Sequence, residues 1–170
     1  DSSIGPTNDY IDISEPITIY PNDIPFKKLI SLSYNLNQCQ NCGFYKFNII
    51  NNLWEYIETN NENNRISTKI ASGGTYCILS DSTKPKISNL FPYFNSTYKK
   101  EDLRNISFNI EDNNSGINPY KINVILDGEK LFYDYIPYRK LISCNLSNLL
   151  SVGSHSLNIN IYDNNNNEIN

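Results

Sequence analysis

Residues 121–131 read Lys-Ile-Asn-Val-Ile-Leu-Asp-Gly-Glu-Lys-Leu. Ile122, Val124 and Leu126 alternate with Lys121, Asn123 and Ile125, the period-2 pattern of a strand with one buried face. Asp127-Gly128 then supplies a two-residue reversal, because Asp and Gly tolerate the positive φ that a primed hairpin turn demands. The stretch is a strand, a tight turn and the start of a second strand. Much of the chain repeats that scheme.

In the first half, Ile11, Ile13, Ile17 and Ile19 mark strand-like segments broken at Glu15-Pro16. Residues 1–10 read as an entering linker, 21–25 as a loop and 29–34 as a strand. The polar segment 35–43 reads as a loop. A hairpin follows, 44–50 and 53–57 about Asn51-Asn52, with Tyr45, Phe47 and Ile49 on one face. Residues 60–64 read as a turn, 66–70 as a strand, and Gly73-Gly74 leads into a strand over 75–79.

The polar run Asp81-Ser-Thr-Lys-Pro85 marks the best boundary, closed by a proline that fixes the exit direction. Beyond it come strands at 87–91 and 106–110, a turn cluster at 112–116, and the hairpin quoted above. Strands at 132–136, 141–146 and 155–162 follow, before an all-polar end at 163–167. No stretch of ten residues carries a helical stripe. Short strands between turn signals predict an all-β chain of two tandem β-sandwich domains, residues 1–82 and 83–170.

Composition narrows the function classes. The formal net charge is −4 in 170 residues, and the lysine doublets at 27–28 and 99–100 make no basic stripe, so no nucleic-acid surface is expected. No apolar run approaches the roughly 20 residues that span a bilayer, so no membrane insertion is expected of this segment. The chain starts Asp1-Ser2-Ser3 and contains no Met, as expected of a segment excised from a longer protein. Sequons stand at Asn95, Asn105, Asn113 and Asn145. About four arise by chance at this Asn and Ser content, so they carry no inference of glycosylation.

Four cysteines and one histidine are present. Cys39 and Cys42 form a Cys-X-X-Cys, without the second pair or histidines that zinc requires. A small loop disulfide in an oxidising compartment is expected instead. Cys144 lies in phase with Ile142 and Leu146 and reads as a buried small hydrophobe. No nucleophile elbow surrounds a serine, and Glu111-Asp112 alternate across a strand end. The expectation is no catalytic residue and no enzyme.

The second half resembles a bacterial immunoglobulin-like repeat. The residues that carry this are Asp81-Ser-Thr-Lys-Pro85-Lys-Ile87, Asp112-Asn-Asn-Ser-Gly116-Ile117, Leu126-Asp127-Gly128, Gly153-Ser-His155-Ser-Leu157 and the closing run 163–167, where Asn166 stands in place of the pattern's Gly. The first half is similar to the β domain that often precedes the repeat, through Tyr45-Lys-Phe47, Trp54 and Gly74-Thr75 up to Asp81. Such repeats occur in secreted and surface proteins, some beside lysostaphin-type cell-wall peptidases. The resemblance implies an immunoglobulin-like fold at the cell surface. It implies no chemistry of its own, because one fold hosts many functions. A peptidase of that type needs several metal-binding histidines, and this chain has one.

Two ligand classes remain. Asp81, Glu111, Asp112, Asp163 and Asn167 are oxygen ligands near turns and suit calcium, which takes six to eight oxygens from such loops. The plainer alternative is that Asp and Asn build the turns themselves. Tyr133, Tyr135 and Tyr138 cluster about Pro137 and suit stacking on a glycan, against the alternative that half-buried tyrosines simply pack in strands. The expected role is a non-catalytic extracellular spacer, adhesion or assembly module. Its partners would be other domains of the same polypeptide or neighbouring surface proteins. The rivals are accessory binding to carbohydrate or cell wall, and a subunit of a surface appendage or filament.

Overall fold

The computed structural model describes residues 10–170 apart from 37, 38, 40, 63, 147 and 149. In chain order the strands are β1 (Tyr10–Asp12), β2 (Ile17–Ile19), β3 (Pro25–Asn35), β4 (Cys42–Asn48), β5 (Leu53–Ile57), β6 (Thr59–Glu62), β7 (Arg65–Ser72) and β8 (Gly74–Asp81). They continue as β9 (Lys86–Phe91), β10 (Asn105–Glu111), β11 (Ile117–Leu126), β12 (Glu129–Lys130) and β13 (Asp134–Ile136). After a 3-10 turn at Pro137–Arg139 come β14 (Leu141–Asn145), β15 (Leu157–Asp163) and β16 (Glu168–Ile169). The protein is all-β, its strands paired antiparallel in four open sheets. No helix among the described residues is long and apolar enough to cross a membrane.

The chain divides into two compact units. One runs to Thr83 and includes Asn164–Asn167; the other comprises Lys84–Asp163 and Glu168–Asn170.

In the first unit, one sheet has the order β1-β8-β4-β5 with β2 also on β8, and a second has the order β3-β7-β6. Cys42, Phe44 and Ile78 of the first sheet meet Ile66 of the second in a sandwich-like core, with Leu32 and Ile57 packed against them. The opposite face of β4 and β8 carries Tyr45, Cys77 and Leu79, which cluster with Trp54, Tyr10, Phe47 and Tyr56. Tyr45 meets two rings in T-shaped contacts, Tyr10 at 5.1 Å and Tyr56 at 5.6 Å between centroids, an arrangement the ring quadrupoles favour. This explains the sequence of β8. Tyr76, Cys77, Ile78 and Leu79 are consecutively buried, so the strand reads as an apolar run where one-sided strands alternate.

In the second unit, the sheets β13-β14-β10-β9 and β12-β11-β15-β16 both contribute to one core. Ile106, Phe108, Ile110, Ile142 and Cys144 come from the first, and Ile122, Val124 and Ile161 from the second. β10 alternates strictly, burying Ile106, Phe108 and Ile110. The quoted stretch forms the end of β11, the turn and β12. Asp127 and Gly128 both have positive φ, 52° and 88°, as a type I′ turn requires.

Several local expectations are corrected. Residues 60–62 continue as β6, and the turn begins after them, with Asn64 at φ 61°. Ile49 lies beyond the end of β4 and is exposed, so only Tyr45 and Phe47 share the packed face. β13 starts at Asp134 and β15 at Leu157, later than the residue types suggest: Phe132 stands exposed outside the strands, and His155 turns its ring to Asp127 and Ser151. Most of the expected linker at 1–10, and residues 37, 38 and 40 of the expected loop, lie outside the described residues.

Candidate functional site

One polar cluster of the second unit sits at the turn between β11 and β12. Asp127 is held there by a reciprocal pair of backbone contacts. Its N–H donates to the Ser156 carbonyl at 2.8 Å, and its Oδ1 accepts the Ser156 N–H at 2.8 Å. Its Oδ2 lies 2.6 Å from Nδ1 of His155, whose Nε2 lies 3.1 Å from the Ser151 carbonyl. A carboxylate and a carbonyl only accept, so both ring nitrogens must donate and the imidazole is held as a cation. His155 accordingly titrates above its ordinary value, first through the Asp127 hydrogen bond and then through Ser151. Asp127 titrates below its ordinary value, through His155 and the Ser156 N–H. Neither nitrogen faces a hydroxyl. With its second nitrogen on a carbonyl, His155 lacks the geometry of a base poised on a nucleophile; it fastens a turn.

The five residues suited to calcium fall in both units. Glu111 turns to Lys140, 2.8 Å away, and that ammonium lowers its pKa through the hydrogen bond. Within the second unit, a carboxylate oxygen of Asp112 lies within 4.8 Å of one of Asp163. Asp112 Oδ1 accepts the N–H groups of Asn114 and Gly116 at 3.1 and 2.8 Å, closing the turn after β10. Asp163 is fully buried. Two ionised carboxylates at this spacing repel unless a proton or a cation lies between them.

Asp81 and Asn167 belong to the first unit. Asp81 Oδ1 accepts the Thr83 N–H at 2.8 Å, and its main-chain carbonyl accepts Asn167 Nδ2 at 2.9 Å. Asn41 Nδ2 donates to Asn167 Oδ1 at 2.7 Å. Beside them Asn165 Nδ2 donates to the Tyr45 hydroxyl at 2.9 Å. Burial first, then the neighbouring Tyr10 hydroxyl and Asp81 carboxylate, hold that phenol well above its ordinary pKa. Gly43 makes room for this arrangement. A Cβ there would stand 2.6 Å from the Tyr56 ring and 2.8 Å from Asn165 Oδ1. Sequence reasoning missed Asn165 and Asn41. Nothing in a run of four asparagines tells which two are buried, although Gly43 opposite a packed face is a signal of close approach.

The three tyrosines do not share one open surface. Tyr133 and Tyr135 pack against the second unit's core, and burial raises both phenol pKa values. Tyr133 donates its hydroxyl to the Pro119 carbonyl at 3.3 Å. Tyr138 alone of the three stands exposed, with the Arg139 guanidinium 5.4 Å from its ring centroid.

Cys39 and Cys42 form a disulfide with Cα atoms 5.8 Å apart. Cys77 and Cys144 are buried free thiols. Burial raises the pKa of Cys77 and pushes that of Cys144 up to about 11, so both stay protonated and inert as nucleophiles near neutral pH. No protein-family model, no curated protein and no solved structure matches this chain.

Proposed function

We propose that the chain is a non-catalytic pair of β-sandwich domains, the second immunoglobulin-like, serving as a spacer, adhesion or assembly module in a larger secreted or surface protein. The observation that carries this reading is the strand order of the second unit. Lettered A to G along the chain with C′ after C, its sheets run A-B-E-D and C′-C-F-G, an order that agrees with the immunoglobulin arrangement. The side chains with chemical potential also favour a scaffold. His155 fastens a turn, the free thiols are buried, and Glu111 is paired with Lys140. A disulfide in a short loop suits an oxidising compartment.

The accessory carbohydrate-binding reading keeps one point of support, the exposed Tyr138 beside Arg139. A glycan array and a pulldown on purified cell wall separate the two. The module reading expects no retention. Retention that Tyr138→Ala abolishes overturns it in favour of glycan binding.

A further inference from the structure

Sheet edges expose unpaired backbone N–H and C=O groups, and proteins blunt them with short strands, charges, prolines or bulges. Most edges here are blunted. β1, β2 and β13 have three residues, and β12 and β16 have two. β6 is Thr-Asn-Asn-Glu, and β5 carries Glu55 at its centre. β9 has a register shift against β10, with Asn89 at φ 51°.

β3 is different. It is the outermost strand of β3-β7-β6, has eleven residues, and pairs on one side only among the described residues. Its blunting devices, Pro25 and the lysines at 27 and 28, all precede Ile30. The register shift against β7 also falls there, between Pro25 and Ile30. Residues 30–35, Ile-Ser-Leu-Ser-Tyr-Asn, are in continuous register with β7 and carry no charge.

The side chains of that run are patterned for an inward face. Ile30, Leu32 and Tyr34 lie opposite Ile70, Thr68 and Ile66, all buried, and directly opposed residues share a face. Leu32 reaches the core. Ile30 and Tyr34 remain 42% and 49% exposed, because no further strand among the described residues covers them.

We propose that β3 is the joint of a two-fold dimer, in which β3 of a second copy pairs antiparallel with it about Leu32 and makes one six-stranded sheet. A two-fold axis normal to the sheet keeps the inner faces of both sandwiches on one side, and directly opposed residues then belong to the same face. Centred on Leu32, it sets Ile30 against the second copy's Tyr34, an aromatic and β-branched pair of the kind that stabilises sheets. Ser31 meets the second copy's Ser33. Lys28 falls level with the second copy's Leu36, so no lysine faces a lysine. The run is thus complementary to itself in shape and charge, as an isologous contact demands. A monomer would serve equally as a spacer, so this inference is independent of the module reading.

Sedimentation of the full chain tests it, with a two-copy species expected at high concentration. Ile30→Lys and Tyr34→Lys each place a charge on the joint's inner face, so both are expected to give monomers with an unchanged β-sheet circular dichroism spectrum. The register is tested separately, without relying on those variants. Oxidising a mixture of Ser31→Cys and Ser33→Cys chains is expected to yield a covalent mixed dimer. Either chain alone should yield little, because its cysteines lie diagonally across the joint, beyond ordinary disulfide reach. A monomer at every concentration, an open polymer, a dimer that survives Tyr34→Lys, or equal cross-linking of each chain alone overturns the proposal.

Discussion

His155 places Nδ1 2.6 Å from Oδ2 of Asp127, 28 positions away in sequence, and fastens the segment before β15 to the β11–β12 turn. The pair makes stability depend on pH with a definite sign. The imidazole pKa is raised on folding, so its contribution is complete below about 6.5 and is lost as pH rises through the raised value. The carboxyl pKa is lowered on folding, so its contribution is complete above about 3.9 and is lost as pH falls through the lowered value. The melting temperature of the protein should exceed that of His155→Ala most between those two limits, and the gap should close in mildly alkaline buffer. His155 is the only histidine, so a single imidazole resonance in a proton NMR titration reports the raised pKa directly. A midpoint at or below about 6.5 contradicts the pairing.

Tyr45→Phe removes only an oxygen. The ring contacts to Tyr10 and Tyr56 survive, but Asn165 Nδ2 loses its acceptor inside the first unit. A buried donor left without its partner costs about 1–3 kcal/mol. Urea unfolding followed by the emission of Trp54, the sole tryptophan and buried in that unit, should show a loss of this size. Tyr56→Phe, a far more peripheral change, should cost less.

The elements were legible where burial is one-sided. In β10, Ile106, Phe108 and Ile110 alternate with polar residues, and burial follows them one for one. The Asp127-Gly128 turn was legible because few residue pairs accept positive φ twice in succession. The extent of β3 was not. Residues 25–28 carry a proline and two lysines, which argue for a loop, yet a proline is tolerated at the start of an edge strand. The polar residues were legible as turn builders and no further. Asp112 and Asp163 are brought within 4.8 Å by strands β10 and β15, and that proximity depends on how two sheets face each other, which no local pattern encodes. For the same reason the reading of Tyr133 and Tyr135 as a platform could not be separated from packing until their face was known.

Phe108 is fully buried in the core that both sheets of the second unit share. Phe108→Ala should cost about 3–5 kcal/mol, the range for truncating a large core side chain and leaving a cavity. Much of the stability of a domain this size would be lost, so calorimetry should show an early transition or none for that unit. Ile110→Val, which removes one methylene from the same face, should cost about 0.5–1.5 kcal/mol.

Asp112 tests whether a turn residue earns its place by hydrogen bonds or by charge. Its Oδ1 accepts two backbone N–H groups, from Asn114 and Gly116, and closes the loop before β11. Asp112→Ala removes the acceptor of both bonds, and each lost bond is worth about 0.5–1.5 kcal/mol, so a loss of about 1–3 kcal/mol is expected. Asp112→Asn keeps an oxygen of the same reach while removing the charge that lies close to Asp163. If hydrogen bonding sets the contribution, the Asn variant should retain most of the stability that the Ala variant loses, because its carbonyl oxygen can take both donors while repulsion from Asp163 falls. Urea unfolding of the two variants side by side measures this. An Asn variant as unstable as the Ala variant would mean that the negative charge itself is needed, and would point to a cation at the Asp112–Asp163 pair.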